Sequence, residues 1–221
     1  MATRRVLLRI YQRLLRRYGH AGWWPARTAF EVAIGAILAQ NTAWSNVEKA
    51  LVDLKRRRRL SYRGLRGVPP SRIAPWIRSS GTYKSKARTV AGFLTFVERE
   101  YRGSLPAMAR EEPAELRRRL LALTGIGPET ADSIVLYAAG GALFVVDAYT
   151  RRLFTRLGLL AGGETYDEVQ RLFMTHLPAD APLYGDYHAQ IVRLAKDVCR
   201  TRPRCGACAL EDLCPRIGVA R

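Results

Sequence analysis

Apolar positions recur at helical spacing along almost the whole chain, so that it reads as helix after helix joined by short connectors. Arg4 to Tyr18 is predicted as a basic amphipathic helix and Thr28 to Leu38 as a nearly apolar, buried one. Ser45 to Arg58 forms a third, running into Arg56-Arg57-Arg58-Arg59. Pro69 and Pro70 open a segment carrying Ile73, Trp76 and Ile77, which Gly81 stops. Thr82 to Tyr101 then places Val90, Phe93, Leu94 and Phe96 at near-helical spacing. Proline suits a first helical turn, so a helix over Leu116 to Leu123 follows Glu112-Pro113, with another from Glu129 to Ala139. Tyr149 to Leu157, Tyr166 to Leu177 and Tyr184 to Cys199 complete the pattern, and no internal repeat is visible. A chain of 221 residues with 48% hydrophobic content can bury a substantial core, as one large domain or two intimate lobes. The apolar runs are too short for a bilayer, so no membrane insertion is expected.

Charge narrows the choice of partners. A formal net charge of +18 attracts polyanions, with nucleic acid the first candidate and an anionic membrane surface the weaker one. Arginine outnumbers lysine 32 to 5, which suits phosphate forks and equally fits a GC-rich genome.

All four cysteines fall in the last 23 residues, as Cys199-x5-Cys205-x2-Cys208-x5-Cys214. Four thiolates on one short looping segment suit a tetrahedral metal ion or an iron–sulfur cubane. Paired disulfides are the competing reading, but no apolar signal segment follows Met1 and the preceding 198 residues hold no cysteine. Zinc sites usually carry two C-x2-C pairs, whereas one pair here is flanked by two five-residue loops, which leans towards [4Fe–4S].

Two further places invite chemistry. Gly125 and Gly127 bracket Ile126 between two short helices, a tight turn that leaves backbone N–H groups outward for an anion or serves merely as cap and connector. Asp147 follows the apolar Phe144-Val145-Val146 at a helix start, where it acts either as an N-cap or as a carboxylate facing a cleft.

Leu123 to Ala131, then Val145-Val-Asp-Ala-Tyr-Thr-Arg151, the early Ala39-Gln-Asn-Thr42 and the terminal cysteines together resemble the helix-hairpin-helix DNA glycosylases of the endonuclease III superfamily. The resemblance runs from about Phe30 to Cys214. It implies an all-α fold of two helical lobes with a DNA-binding cleft, a helix-hairpin-helix motif and a C-terminal iron–sulfur cluster loop. One lobe would comprise residues 1–27 with 140–221, including the cluster loop 199–214, and the other residues 28–139, with the hairpin at about 116–139. It further implies Asp147 as the catalytic carboxylate, Gln40, Gly125, Gly127 and Thr130 as DNA-binding residues, and a [4Fe–4S] cluster held by Cys199, Cys205, Cys208 and Cys214. Gln40 would fill the gap left by an extruded nucleotide. The partner it implies is double-stranded DNA containing damaged bases, expected to be met by a monomer in the cytoplasm, at the nucleoid.

Two departures from the superfamily's patterns narrow the chemistry. Strand-cutting members carry a lysine two residues after the second hairpin glycine, and Glu129 stands there, so monofunctional base removal is expected, the alternatives being a glycosylase with AP-lyase activity and a non-catalytic iron–sulfur DNA-binding protein. Adenine-specific members carry a glutamate four residues before the glutamine, where this chain has Ala36. The signature looks most like the branch that includes a 3-methyladenine glycosylase, which makes an alkylated base the expected lesion. Trp23, Trp24 and Trp44 serve either base stacking or packing. His188 reads as a core or cleft-wall residue rather than a ligand, while Arg56 to Arg59, Lys84 and Lys86 are either phosphate contacts or solvated charges.

Overall fold

The computed structural model describes residues 2–22 and 26–219, and every regular element among them is helical. In chain order these are α1 (Ala2–Tyr18), α2 (Ala29–Leu38), α3 (Trp44–Arg56), α4 (Tyr62–Leu65), α5 (Pro70–Ile73), α6 (Tyr83–Tyr101), α7 (Leu105–Met108), α8 (Pro113–Leu121), α9 (Pro128–Ser133), α10 (Ala148–Arg156), α11 (Tyr166–His176) and α12 (Ala181–Asp197). Short 3-10 turns occupy Ala74–Ser80, Cys205–Ala207 and Glu211–Leu213. The segment opened by Pro69 and Pro70 starts as α5 and tightens into the first of these, where Pro75 lacks the N–H that an α-helical bond would use. The helix expected from Glu129 to Ala139 also changes character at Ile134, where a wider π turn runs to Ala138 with four of its five residues buried. None of the described helices is long and apolar enough to cross a membrane.

The chain divides into two compact units, Met1–Trp24 with Ala142–Arg221, and Pro25–Gly141. In the first, the apolar stripe Leu7, Ile10 and Leu14 of α1 is buried against α11 and α12, and the Tyr187 hydroxyl donates to Leu7 O at 2.9 Å. Arginine covers the outer face of α1. The aromatic centre of this unit is Phe144, Phe154, Phe173, Tyr184 and Tyr187, all fully buried. The second unit is built around α2, in which nine of ten residues are buried, and this is why its sequence carries almost no polar face. α3 packs on the Ala74–Ser80 turn, α6 lies against that turn and α5, and α2 meets α9 and the π turn.

Candidate active site and metal centre

The hairpin joins α8 to α9 through residues 122–127. Ile126 N bonds Leu123 O at 3.1 Å, and the Ile126 side chain is buried beneath the turn. Gly125 has φ +87°, and a Cβ there would collide with the Thr89 side chain, so glycine is required by the fold. Gly127 differs. Its φ of −96° suits any residue and a Cβ would meet open space, so the fold does not demand glycine at this exposed position. Gln40, just beyond α2, reaches the same turn: its Nε2 donates to Gly125 O at 2.8 Å and to Thr130 Oγ1 at 2.9 Å. Arg117 of α8 fixes α9 by donating from Nε to Asp132 Oδ1 at 2.7 Å, and Asp132 is fully buried. Arg117→Met leaves that carboxylate without its cation in the core, and the expected cost is about 3 kcal/mol or more of stability, read from thermal or urea unfolding. Adding Asp132→Asn should recover part of the loss.

Asp147 caps α10. The segment before it is held from α11, where the Tyr166 hydroxyl accepts from Val146 N at 3.2 Å and Gln170 Nε2 donates to Phe144 O at 2.8 Å. Asp147 Oδ1 accepts from Thr150 N at 2.7 Å and from Thr150 Oγ1 at 2.9 Å. Oδ2 lies 3.5 Å from His188 Nε2 of α12, and both side chains are almost wholly buried. Burial alone pushes the Asp147 carboxyl pKa up, but the His188 imidazole and the two Thr150 donors outweigh it and hold the group below the usual carboxylate range. A buried acid is thereby kept ionised.

The four cysteines are free thiols lining one cavity together with Leu153, Val198 and Leu210. Among the described residues no three His, Cys, Asp or Glu side chains converge tightly enough for a single metal ion. A cubane is reached from four corners, and four thiols lining one cavity suit that demand. Backbone and guanidinium donors also point at the sulfurs: Leu210 N to Cys208 Sγ at 3.4 Å and Arg156 Nη1 to Cys199 Sγ at 3.3 Å. Arg156, at the far end of α10, further binds Arg200 O at 2.6 Å and Thr201 O at 3.1 Å, while Arg152 Nε bonds Cys199 O at 2.9 Å.

A family model for HhH-GPD superfamily base excision DNA repair proteins matches residues 34–179, a span holding both the hairpin and Asp147. The chain belongs to this superfamily. A protein of Methanocaldococcus jannaschii described as a DNA repair glycosylase is 41% identical over 211 residues, covering 95% of this chain and 96% of its own length. An endonuclease III solved in a non-covalent DNA complex superposes with a TM-score of 0.82 at 25% identity, covering 98% of this chain and 97% of that one. The H. pylori 3-methyladenine DNA glycosylase bound to 1,N6-ethenoadenine gives 0.73 at 28% identity, covering 88% and 97%.

Within this HhH-GPD chain, Gln40, Gly125 and Thr130 come together, as do the four cysteines. Lys86 departs from the surface role considered for it. It is buried, and its Nζ donates to Leu38 O at 2.8 Å and Ser80 O at 2.6 Å, tying off the ends of α2 and the Ala74–Ser80 turn. Desolvation lowers its pKa. Arg57 and Arg59 lie over the Trp76 ring, each at 5.8 Å, and Arg59 also donates to Gly64 O, so this end of the arginine run makes local contacts. Trp44 Nε1 donates to Glu48 on its own helix, while Trp23 and Trp24 lie outside the described residues. Sequence reasoning missed the contact of His188 with Asp147, because 41 residues separate them and a lone histidine on an apolar helix face carries no spacing signal. It missed Arg152 and Arg156 for the same reason.

Proposed function

We propose that this base excision repair glycosylase removes a damaged, alkylated base from double-stranded DNA by hydrolysis and leaves the strand intact. The reading is carried by a buried, hydrogen-bonded, ionised Asp147 in a chain that has Glu129, not an amine, two residues after Gly127. Asp147 supplies negative charge where oxocarbenium character develops at C1′. Water replaces the amine: its oxygen bonds to C1′, one of its protons passes to the Asp147 carboxylate, and the electron pair of the glycosidic bond leaves with the damaged nucleobase. Gly127 supports the DNA side of the reading, since an exposed glycine that the fold does not require leaves room for a phosphate to approach the backbone. Gln40, poised by Gly125 and Thr130, is the residue that enters the space of the extruded nucleotide. Cys199, Cys205, Cys208 and Cys214 would hold a [4Fe–4S] cluster, whose contribution is to fold the loop that presents the exposed Arg200, Arg202 and Arg204 to phosphates. Similarity to the H. pylori 3-methyladenine enzyme supports an alkylated lesion. The protein acts as a monomer on nucleoid DNA.

Incubation with duplexes carrying alkylated, deaminated or oxidised bases should yield intact abasic strands that break only after alkali or heat. Borohydride should trap no protein–DNA adduct, because trapping needs an imine. Efficient trapping would instead favour a strand-cutting enzyme using another amine, such as Lys84 or Lys196; Lys55 is engaged with Glu31, and Lys86 is buried.

A further inference from the structure

Asp147 is held asymmetrically. Thr150 saturates Oδ1 from within α10, by backbone and hydroxyl together, whereas Oδ2 has the His188 ring of α12 beside it at 3.5 Å. α10 and α12 pack directly on each other within one unit, so this is a contact between two anchored helices. His188 sits on the most buried stretch of α12, with Tyr187, Ala189, Gln190 and Ile191 all within the core, and has little freedom to leave. The nearest other acid on that helix, Asp186, is occupied by the Tyr11 hydroxyl at 2.7 Å and Ala21 N at 2.7 Å. From α11 the Tyr166 hydroxyl reaches the neighbouring Val146 N–H, and from α12 the His188 ring lies beside the Asp147 carboxylate itself.

We infer that His188 is a positioning residue for Asp147, holding Oδ2 and keeping the carboxylate ionised and aimed while Thr150 holds Oδ1. The inference rests on the reading of Asp147 as the catalytic carboxylate. Its chemistry is specific to an enzyme that uses water. An amine beside a carboxylate orients it through its own N–H groups, and without one the protein must fix both oxygens itself. Burial works against the ionised acid, and the His188 ring, 3.5 Å from Oδ2, offsets it. Removing that ring therefore raises the pH below which Asp147 takes up a proton.

The experiment compares His188→Leu, which keeps bulk without a donor, with His188→Gln, whose amide nitrogen reaches about as far as Nε2. Single-turnover base release and its pH profile are measured beside equilibrium binding to abasic duplex. His188→Leu should lose roughly tenfold or more in rate. The acid limb of its profile should move to higher pH, with abasic-DNA binding unchanged. His188→Gln should recover most of the rate and the original limb. An unmoved acid limb in His188→Leu, or equal losses in both variants, overturns the inference. If His188→Leu does not fold, ring nitrogen resonances of His188 in 15N-histidine-labelled protein decide: they should shift between the native chain and Asp147→Asn, and identical spectra overturn the inference. Asp147→Asn also separates the two levels. Full activity in that variant removes the catalytic reading, whereas an inactive Asp147→Asn beside a fully active His188→Leu removes only the role of His188.

Discussion

Asp147→Asn should reduce base release a hundredfold or more while leaving affinity for damaged duplex near its native value. Loss of a well-placed charge opposite developing positive charge typically costs about 3 kcal/mol of transition-state stabilisation. The substitution is informative because Asp147 also caps α10. As an N-cap its Oδ1 accepts from Thr150 N, and asparagine caps a helix about as well as aspartate. The fold therefore survives, and only the charge is lost. Asp147→Ala, by contrast, should cost about 1 kcal/mol of stability as well, visible as a lowered Tm. Near-native turnover by Asp147→Asn in a single-turnover assay would remove the catalytic assignment. The sign of the pH effect follows from the depressed carboxyl pKa. The stabilisation due to the ionised group is complete above the ordinary carboxylate range and is lost as the pH falls through the lowered value in the folded state.

Cys208→Ser should abolish a brown colour and leave the C-terminal loop unfolded. Protein purified anaerobically should carry about four irons per chain, with broad visible absorption. Between Arg200 and Pro215 the only fully buried apolar side chain is Leu210, too little to fold sixteen residues without a further tie. The expected losses are iron content, Tm and resistance of the last twenty residues to proteolysis, all together. One zinc per chain with no iron would overturn the cluster assignment.

Much of the fold was legible because it is written in local periodicity. α1, α6, α11 and α12 announce themselves by apolar stripes, and Pro113 marks a helix start that the structure keeps. Where the segment after Pro70 leaves the α-helix, a missing donor explains it, since Pro75 falls in the 3-10 turn at Ala74–Ser80. The site divides in the same way. Gly125 could be read from a turn that needs positive φ, and Asp147 from its place before a helix. Nothing in the sequence distinguishes Lys86 from a surface lysine, since its burial depends on two helix-end carbonyls that meet only in the folded unit. Nor does it distinguish His188 from an ordinary core histidine.

α10 spans the distance between these two regions. Nine residues at about 1.5 Å each make a rod of roughly 14 Å, with Asp147 at one end and Arg156 at the other. Arg156 grips the loop by the carbonyls of Arg200 and Thr201, and Arg152 by that of Cys199, so both hold main chain. Main-chain oxygens are common to every residue type. The loop's outward side chains are therefore free to drift, exchanging arginine for other residues as the favoured DNA changes, while the path that seats the rod, and with it the carboxylate, stays the same.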